Sequence, residues 1–165
     1  MRAGVALGSN LGNRIQHLRA AVQWLRKISE GSLLFSRVYE TEPVDCPAGS
    51  TSFLNAVCEI GYAGEIMELL HKTQAFERRR GRPRSRVRNA PRPLDMDLLY
   101  AGDRVLNSAK LVLPHPRISE RRFVLQPLCD IRPDLVLPGQ TSPVKKLLAS
   151  LRDSGEARRY DEGLR

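Results

Sequence analysis

The chain has 165 residues and a mass of 18.6 kDa, which is the size of one ordinary domain and allows a hydrophobic core without disulfide support. Its 41% hydrophobic and 27% charged residues are typical of globular proteins, and the apolar start, residues 1–7, is far too short for a signal peptide or a membrane span. The cysteines Cys46, Cys58 and Cys129 lack the spacing of zinc ligands, so we expect structural thiols. We therefore expect a single domain over residues 1–165 that is soluble, cytoplasmic and bound to no membrane.

The net charge of +9 is concentrated in one segment between Arg78 and Leu94, which contains eight arginines and no acidic residue. They are Arg78, Arg79, Arg80, Arg82, Arg84, Arg86, Arg88 and Arg92. Such a segment is either a solvated loop whose charges repel one another or a binding site for phosphate groups.

Apolar periodicity predicts six elements before residue 101. They are, in chain order, a strand at 4–7, a helix at 15–28, strands at 33–39 and 53–60, a helix at 64–80 and a strand at 94–100. In the helices the apolar residues recur three or four positions apart, whereas the strands are short apolar or alternating runs. This order is typical of a ferredoxin-like βαββαβ core, an α+β fold whose antiparallel sheet carries both helices on one face.

Additional strands and helices are predicted after this core. They are a return strand at 105–106, a short apolar run at 111–113, a partly helical segment at 118–128 and a final helix at 143–151. The polar tail from 153 to 165 is expected to be loose.

Two loops of the core are candidate binding segments. Residues 8–13, Gly-Ser-Asn-Leu-Gly-Asn, can cradle a phosphate at the following helix N-terminus, but they lack the P-loop and GxGxxG spacings and are more typical of a structural turn. Residues 42–52 are rich in Pro, Gly and Ser and are too long for a tight hairpin turn, so we interpret them as a binding loop.

Asp95 and Asp97 are the sharpest local motif. Because strand side chains alternate, both carboxylates point to the same face of the predicted strand. An isolated pair of this kind is usually the solvent face of an edge strand, but here the arginine-rich segment directly precedes it. Carboxylates beside phosphate-binding cations favour a metal–polyphosphate site, and two oxygen ligands suit Mg²⁺, which takes its other ligands from water and phosphates.

The partner of the arginines is either a nucleic acid or a small polyphosphate. Arginine binds phosphate oxygens in bidentate fashion in both cases. No aromatic residue lies between Phe76 and Tyr100, so the segment offers no stacking platform for bases, and a small polyphosphate fits better. An RNA-binding module with a ferredoxin-like sheet remains the alternative from another class, and a Mg²⁺ nuclease is a third, although no activator of water is identifiable.

Five segments of the chain form a larger pattern. They are ALGSNLGNR at 6–14, YETEP at 39–43, FLNAV at 53–57, PRPLDMDLL at 91–99 and LPHPRISERRFVLQPL at 113–128. In this order they resemble the 6-hydroxymethyl-7,8-dihydropterin pyrophosphokinase family of folate biosynthesis, and PRPLDMDLL is the most specific of them. The chain departs from the family pattern at Asn89-Ala90 and over residues 45–52.

The resemblance implies a role for individual residues. It implies that Asp95 and Asp97 bind two Mg²⁺ ions with ATP, and that Arg82 and Arg92 are catalytic residues that hold the phosphates. The ATP site that it implies further contains Gln74, Glu77, Arg84, Lys110, His115 and Arg121. The implied pterin site contains Thr41, Val44, Phe53, Asn55 and Phe123, with the two phenylalanines sandwiching the ring.

The same resemblance implies a reaction. The hydroxymethyl oxygen of the pterin attacks the β-phosphorus of ATP in line, AMP leaves, and no covalent enzyme intermediate is required. Residues 42–52 and 81–93 are predicted lids that exclude water. We expect a monomer that binds ATP and the pterin and no nucleic acid.

Overall fold

The computed structural model describes residues 1–43, 45–83, 87, 90–152 and 155–165. Within these ranges the helices are α1 (Arg14–Ile28), α2 (Ile66–Arg79), α3 (Arg122–Ile131) and α4 (Val144–Ser150), with a 3₁₀ turn at Ile118–Glu120. The strands are β1 (Arg2–Ser9), β2 (Leu34–Phe35), β3 (Tyr39–Thr41), β4 (Phe53–Gly61), β5 (Asp95–Ala101), β6 (Leu106–Asn107), β7 (Val112–Leu113) and β8 (Ala157–Arg159). None of the helices in these ranges combines the length and the apolar character that crossing a membrane requires.

Six strands form one antiparallel sheet in the order β5-β1-β4-β3-β8, and β2 also pairs with β4. β1 and β4 are the central strands, whereas β5 is an edge strand beside β1. The strand order β5-β1-β4-β3, with α1 after β1 and α2 after β4, is the ferredoxin-like arrangement. The predicted fold class is confirmed.

The two faces of the sheet bury two different cores, because successive side chains of a strand point to opposite faces. On one face, Val5 and Leu7 of β1 pack with residues of α1 and α2, as predicted. On the other face, Val57 of β4 packs with Leu125 and Leu128 of α3 and with α4. The helices after the ferredoxin-like core therefore cover the second face of the sheet.

The predicted strand at 33–39 is interrupted in the structure. It divides into β2 and β3 at Ser36. The N–H group of Ser36 donates to the Val57 carbonyl at 2.9 Å, as in a regular sheet. The Val57 N–H group, however, donates to the side-chain Oγ of Ser36 at 2.9 Å instead of to a main-chain carbonyl, and the regular pairing stops there. The predicted return strand at 105–106 also differs. It forms β6, which pairs with β7 rather than with β5.

The tail predicted to be loose from residue 153 onward is ordered where the structure describes it. β8 pairs with β3 at the edge of the sheet, and Leu164 is buried in the core beside α1. Arg19 of α1 donates to the Gly163 carbonyl at 2.9 Å. The prediction rested on the polarity of the tail and missed the pairing of β8 with β3 and the packing of Tyr160 and Leu164 on the core.

A trough runs along the central strand β1, because three of its residues that point to the face covered by α3 and α4 are small, namely Gly4, Ala6 and Gly8. A shift in the pairing of β1 with β5 follows Gly4, and there the ring of Tyr100 lies directly over the glycine, where a Cβ atom would overlap it. Tyr100 also donates its hydroxyl to Glu59 at 2.6 Å. At Ala6 and Gly8 the trough is open and lines a cavity.

Replacing Gly4 by alanine is expected to lower the free energy of unfolding by about 2 kcal/mol or more, since the new methyl group must displace the buried Tyr100 ring. Urea unfolding followed by circular dichroism measures this loss. Gly163→Ala is the matched control because a Cβ atom there meets no atom within 4 Å, so it should change the unfolding free energy by less than about 0.5 kcal/mol. Equal midpoints for both variants would contradict the proposed packing of Tyr100.

Candidate active site

The open part of the trough is the floor of a cavity of about 570 Å³. Its walls come from the start of β4, the start of β5, the segment after β3 and the segment that leads into α3. One end of the sheet and the segment that leads into its second helical layer therefore meet around this cavity.

The register of the sheet places the candidate residues in rows across three strands. Asn55 of β4, Gly8 of β1 and Asp95 of β5 are direct neighbours in one row, and adjacent strands are about 4.8 Å apart. A Cβ atom at Gly8 would lie 3.5 Å from Asn55 Oδ1, 3.8 Å from the Phe53 ring and 4.0 Å from Asp95 Cβ. Gly8 thus keeps open the space between the two walls.

Asp95 and Asp97 form the wall on the β5 side, and both carboxylates point into the cavity as the alternation predicts. Asp95 Oδ1 lies 3.2 Å from Arg82 Nη1 and 3.1 Å from Arg92 Nη1. Burial, and next the charge of Asp95, raise the pKa of Asp97 to about 6. A bound divalent cation would relieve this repulsion between carboxylates, and its binding would release any proton that Asp97 holds.

Glu77 supports this wall from behind. Its side chain is buried on α2, where Oε1 accepts the N–H of Met96 at 2.6 Å and Oε2 forms an ion pair with Arg82. Burial, and next the charge of Asp95, raise the pKa of Glu77 to about 7. Glu77 therefore links α2 to β5 and holds the Arg82 guanidinium in place. It is not among the residues that line the cavity, so it affects the site through Met96 and Arg82.

His115 lines the same cavity, and its hydrogen bonds determine which ring nitrogen carries the proton. Its main-chain N–H donates to the Leu99 carbonyl at 2.7 Å, and its Nδ1 accepts the N–H of Arg117 at 3.1 Å. Burial, and next the charge of Arg121, lower the pKa of His115. With Nδ1 engaged as an acceptor, the neutral imidazole carries its proton on Nε2 and can donate there to an anion.

The opposite wall combines aromatic and amide side chains. Phe53 at the start of β4 and Phe123 in the first turn of α3 both line the cavity. Asn55 is buried, and its Nδ2 donates to Thr41 Oγ1 at 2.7 Å. Arg121 places its guanidinium 5.4 Å from the centre of the Phe123 ring. This wall suits a flat heteroaromatic ring with a polar edge.

The structure brings most of the sequence-predicted site residues together. Those on the cavity wall are Thr41, Phe53, Asn55, Arg82, Arg92, Asp95, Asp97, His115, Arg121 and Phe123. Gln74 and Lys110 are exposed and lie outside the wall formed by the described residues. Val44 and Arg84 fall outside the described residues, so their roles stay predictions.

The cavity wall also contains residues that the sequence analysis did not name individually. Gly8 belongs to the candidate segment 8–13, and Glu42 and Cys46 belong to the predicted binding loop 42–52. Residues outside both segments include Ala6, Arg117, Glu120, Arg122 and Arg152. For Gly8 a signal was present, since small residues at every second position of a central strand indicate a groove on one face. Arg152 precedes the tail, and no signal in the sequence connects it with the site.

The donor set fits a magnesium–polyphosphate complex. Among the described residues no group of three or more His, Cys, Asp or Glu side chains is arranged to hold a metal by itself. Two carboxylates that open onto a cavity with several arginines are nevertheless what Mg²⁺ requires when phosphate oxygens supply further ligands. Asp95 and Asp97, which lie beside Arg82 and Arg92, meet this description.

On a ferredoxin-like fold, the site therefore combines two carboxylates and several arginines with two phenylalanines and a buried amide. A family model described as 7,8-dihydro-6-hydroxymethylpterin-pyrophosphokinase matches residues 4–133. The chain belongs to this family.

Relatives of this family differ in length. The chain is 38% identical over 138 residues to the 2-amino-4-hydroxy-6-hydroxymethyldihydropteridine pyrophosphokinase of Pseudomonas aeruginosa, covering 83% of this chain and 84% of the relative. It is 41% identical over 130 residues to the protein of the same name in Bacillus subtilis, covering 78% and 77%. It is 39% identical over 137 residues to the folic acid synthesis protein fol1 of Pneumocystis carinii, covering 81% of this chain but 18% of that protein.

A solved structure shares the fold. The Plasmodium falciparum HPPK-DHPS protein, crystallised with pteroate, aligns with a TM-score of 0.68 and 14% identity over 90% of this chain and 42% of that chain. The chain thus spans less than half of this structure and about a fifth of the fungal relative.

Proposed function

We propose that the protein transfers the pyrophosphoryl group of ATP to the hydroxymethyl group of 6-hydroxymethyl-7,8-dihydropterin, giving the pterin pyrophosphate ester and AMP in folate biosynthesis. The observation that carries this proposal is the single row Asn55–Gly8–Asp95 across the cavity floor. On one side of Gly8 lies the wall that suits a flat polar ring, and on the other side lies the wall of carboxylates and arginines. The hydroxymethyl group of a bound pterin and the phosphates of bound ATP would therefore meet over Gly8. We further propose that the protein acts as a monomer in the cytoplasm.

Asp95 and Asp97 would hold two Mg²⁺ ions together with the phosphates of ATP. When bound, Mg²⁺ offsets the negative charge of the phosphates and polarises them. The carboxylates themselves serve as ligands and not as general bases, because a carboxylate that coordinates a cation is a weak base.

Arg82 and Arg92 are the proposed catalytic residues. Both guanidinium groups lie within 3.2 Å of Asp95 Oδ1, and Glu77 holds Arg82 from the other side. Their orientation is therefore largely set before a phosphate arrives, and little reorganisation is needed as charge develops on the transferring group. His115 can add a neutral donor from Nε2.

Phe53 and Phe123 are proposed to cover the two faces of the pterin ring. Asn55 donates one N–H group to Thr41, and this contact fixes the amide with Oδ1 toward the cavity floor near Gly8. In that orientation Oδ1 accepts a hydrogen bond from the N–H groups at the polar edge of the pterin. The catalytic contribution of the chain is positioning plus electrostatic stabilisation.

The packing of the sheet argues against the RNA-binding alternative. A ferredoxin-like sheet that binds RNA presents aromatic residues of its central strands on an open face. Here the face opposite α1 and α2 is covered, since Val57 of β4 and Leu99 of β5 are buried with residues of α3 and α4. Among the described residues of the arginine-rich segment, Arg82 and Arg92 line the cavity that is open at one end of this face.

The proposal is tested by incubating the protein with MgATP and 6-hydroxymethyl-7,8-dihydropterin and separating the nucleotides by chromatography. We expect AMP, in equal amount to the pterin pyrophosphate, and no ADP. A matched control uses 6-methyl-7,8-dihydropterin, which lacks the attacking hydroxyl group and should yield no AMP. Formation of ADP, or release of AMP without the alcohol, would contradict the proposed reaction.

A further inference from the structure

Asn10 lies in the turn between β1 and α1 and holds the main chain of Arg92 at two points. Its side-chain Oδ1 accepts the N–H of Arg92 at 2.9 Å, and its own N–H donates to the Arg92 carbonyl at 3.3 Å. Asn10 is only 1% exposed, so water does not compete for these hydrogen bonds. The path of the chain just before β5 is therefore set by a residue that follows β1.

The same turn also holds the segment that leads into β4. The Asn10 carbonyl accepts the hydroxyl of Thr51 at 2.5 Å. Arg14, at the start of α1, donates to the Ser52 carbonyl at 2.9 Å and pairs with Glu40 at 2.8 Å. Residues 9–14 thus contact the chain on both sides of the cavity, near Arg92 on one side and next to Phe53 on the other.

The side-chain amide of Asn10 uses only one of its two polar atoms in a hydrogen bond within the described ranges. Its Nδ2 is buried and has no hydrogen-bond partner among the described residues. A buried N–H group without a partner costs stability, and such a group in a native protein calls for a reason. The side chain nevertheless provides the acceptor that Arg92 requires.

We propose that Asn10 is a positioning residue for the transfer step: it fixes the main chain of Arg92, and through it the place of the guanidinium beside Asp95, and it links this wall to the wall that carries Phe53. This inference rests on the proposed function. Arg92 Nη1 lies 3.1 Å from Asp95 Oδ1, so a displacement of the Arg92 main chain would move the guanidinium away from Asp95 and from the proposed phosphate site. Asn10 itself lies outside the cavity wall formed by the described residues.

The test compares Asn10→Ala with Asn13→Ala. Asn13 lies in the same turn and caps α1 by accepting the N–H of Gln16 at 3.3 Å, so its replacement also costs stability but leaves the hydrogen bonds to Arg92 in place. We expect Asn10→Ala to lower the single-turnover rate of transfer at least about tenfold, since small displacements of reacting groups are costly. Asn13→Ala should stay within about threefold of the parent protein after correction for the folded fraction.

Two further measurements separate positioning from a general loss of structure. Calorimetric titration with a non-hydrolysable ATP analogue and Mg²⁺ should give a dissociation constant that changes less than the transfer rate does. Asn10→Asp retains an acceptor for the Arg92 N–H and should recover most of the lost rate. Equal rates for Asn10→Ala and Asn13→Ala, or a loss confined to nucleotide affinity, would overturn the positioning role. A parent protein that produces no AMP would instead overturn the proposed function.

Discussion

Asp97→Asn is expected to reduce kcat by about 10³-fold while the protein stays folded, because it removes a ligand of the proposed metal site and with it much of the electrostatic stabilisation of the transferring phosphates. Activity and stability are expected to respond differently because asparagine has nearly the same shape as aspartate but carries no charge. The pKa of Asp97 is raised to about 6, first by burial and then by the charge of Asp95. A carboxyl group with a raised pKa opposes folding once it is ionised, so the variant should unfold at the same temperature as the parent or at a higher one at pH 7.

Steady-state release of AMP and thermal unfolding, each with and without Mg²⁺, measure these effects. Asp103→Asn is the matched control, since Asp103 is exposed in the turn after β5 and should have normal turnover. Mg²⁺ together with an ATP analogue should raise the unfolding temperature of the parent and of the control but not of Asp97→Asn. Near-normal turnover of Asp97→Asn in Mg²⁺ would show that the metal assignment is wrong.

Gly8→Ala is expected to abolish most of the activity without destabilising the protein. The new methyl group would lie 3.5 Å or more from Asn55, Phe53 and Asp95, which is ordinary contact distance, and alanine in a strand is favoured over glycine by about 0.5–1 kcal/mol. The methyl group would nevertheless occupy the floor over which the alcohol and the polyphosphate must approach each other. Because displacing reacting atoms by about 1 Å costs roughly 10²-fold in rate, kcat/KM should fall by at least about that factor.

Urea unfolding measures the stability of Gly8→Ala, and the AMP assay measures its kcat/KM. Gly4→Ala provides the contrast on the same face of the same strand: it should lower stability because of Tyr100, and its folded fraction should retain the specific activity of the parent. A Gly8→Ala variant with kcat/KM within about threefold of the parent would mean that the substrates do not meet over this part of the floor.

The sequence was most informative where neighbours in the chain are also neighbours in the site. Asp95 and Asp97 share a face by strand alternation alone, and Arg92 precedes them by a few residues, so the wall on the β5 side could be predicted. The order of strands and helices likewise followed from local apolar periodicity, which is set by the faces that each element buries.

The sequence was least informative where function depends on the pairing of distant strands. Gly8 belongs to the floor only because β1 lies between β4 and β5, and Asn10 matters through Arg92, 82 positions further along the chain. The interruption of the strand at Ser36 depends on a side-chain hydrogen bond to Val57 that no local pattern reveals. The burial of Leu164 could not be predicted either, because the space that it fills beside α1 exists only in the folded core.

The bond between Glu77 and Met96 has a consequence for association between molecules. β5 is the outer strand of the sheet beside β1, and an exposed outer strand offers free N–H groups to which a strand of another molecule can add. Glu77 takes the N–H of Met96 and brings α2 against this edge. One N–H group of the strand that carries both aspartates is thereby occupied within the molecule and is not open to a strand of another molecule, so the same buried carboxylate serves the edge of the sheet as well as the geometry of the site.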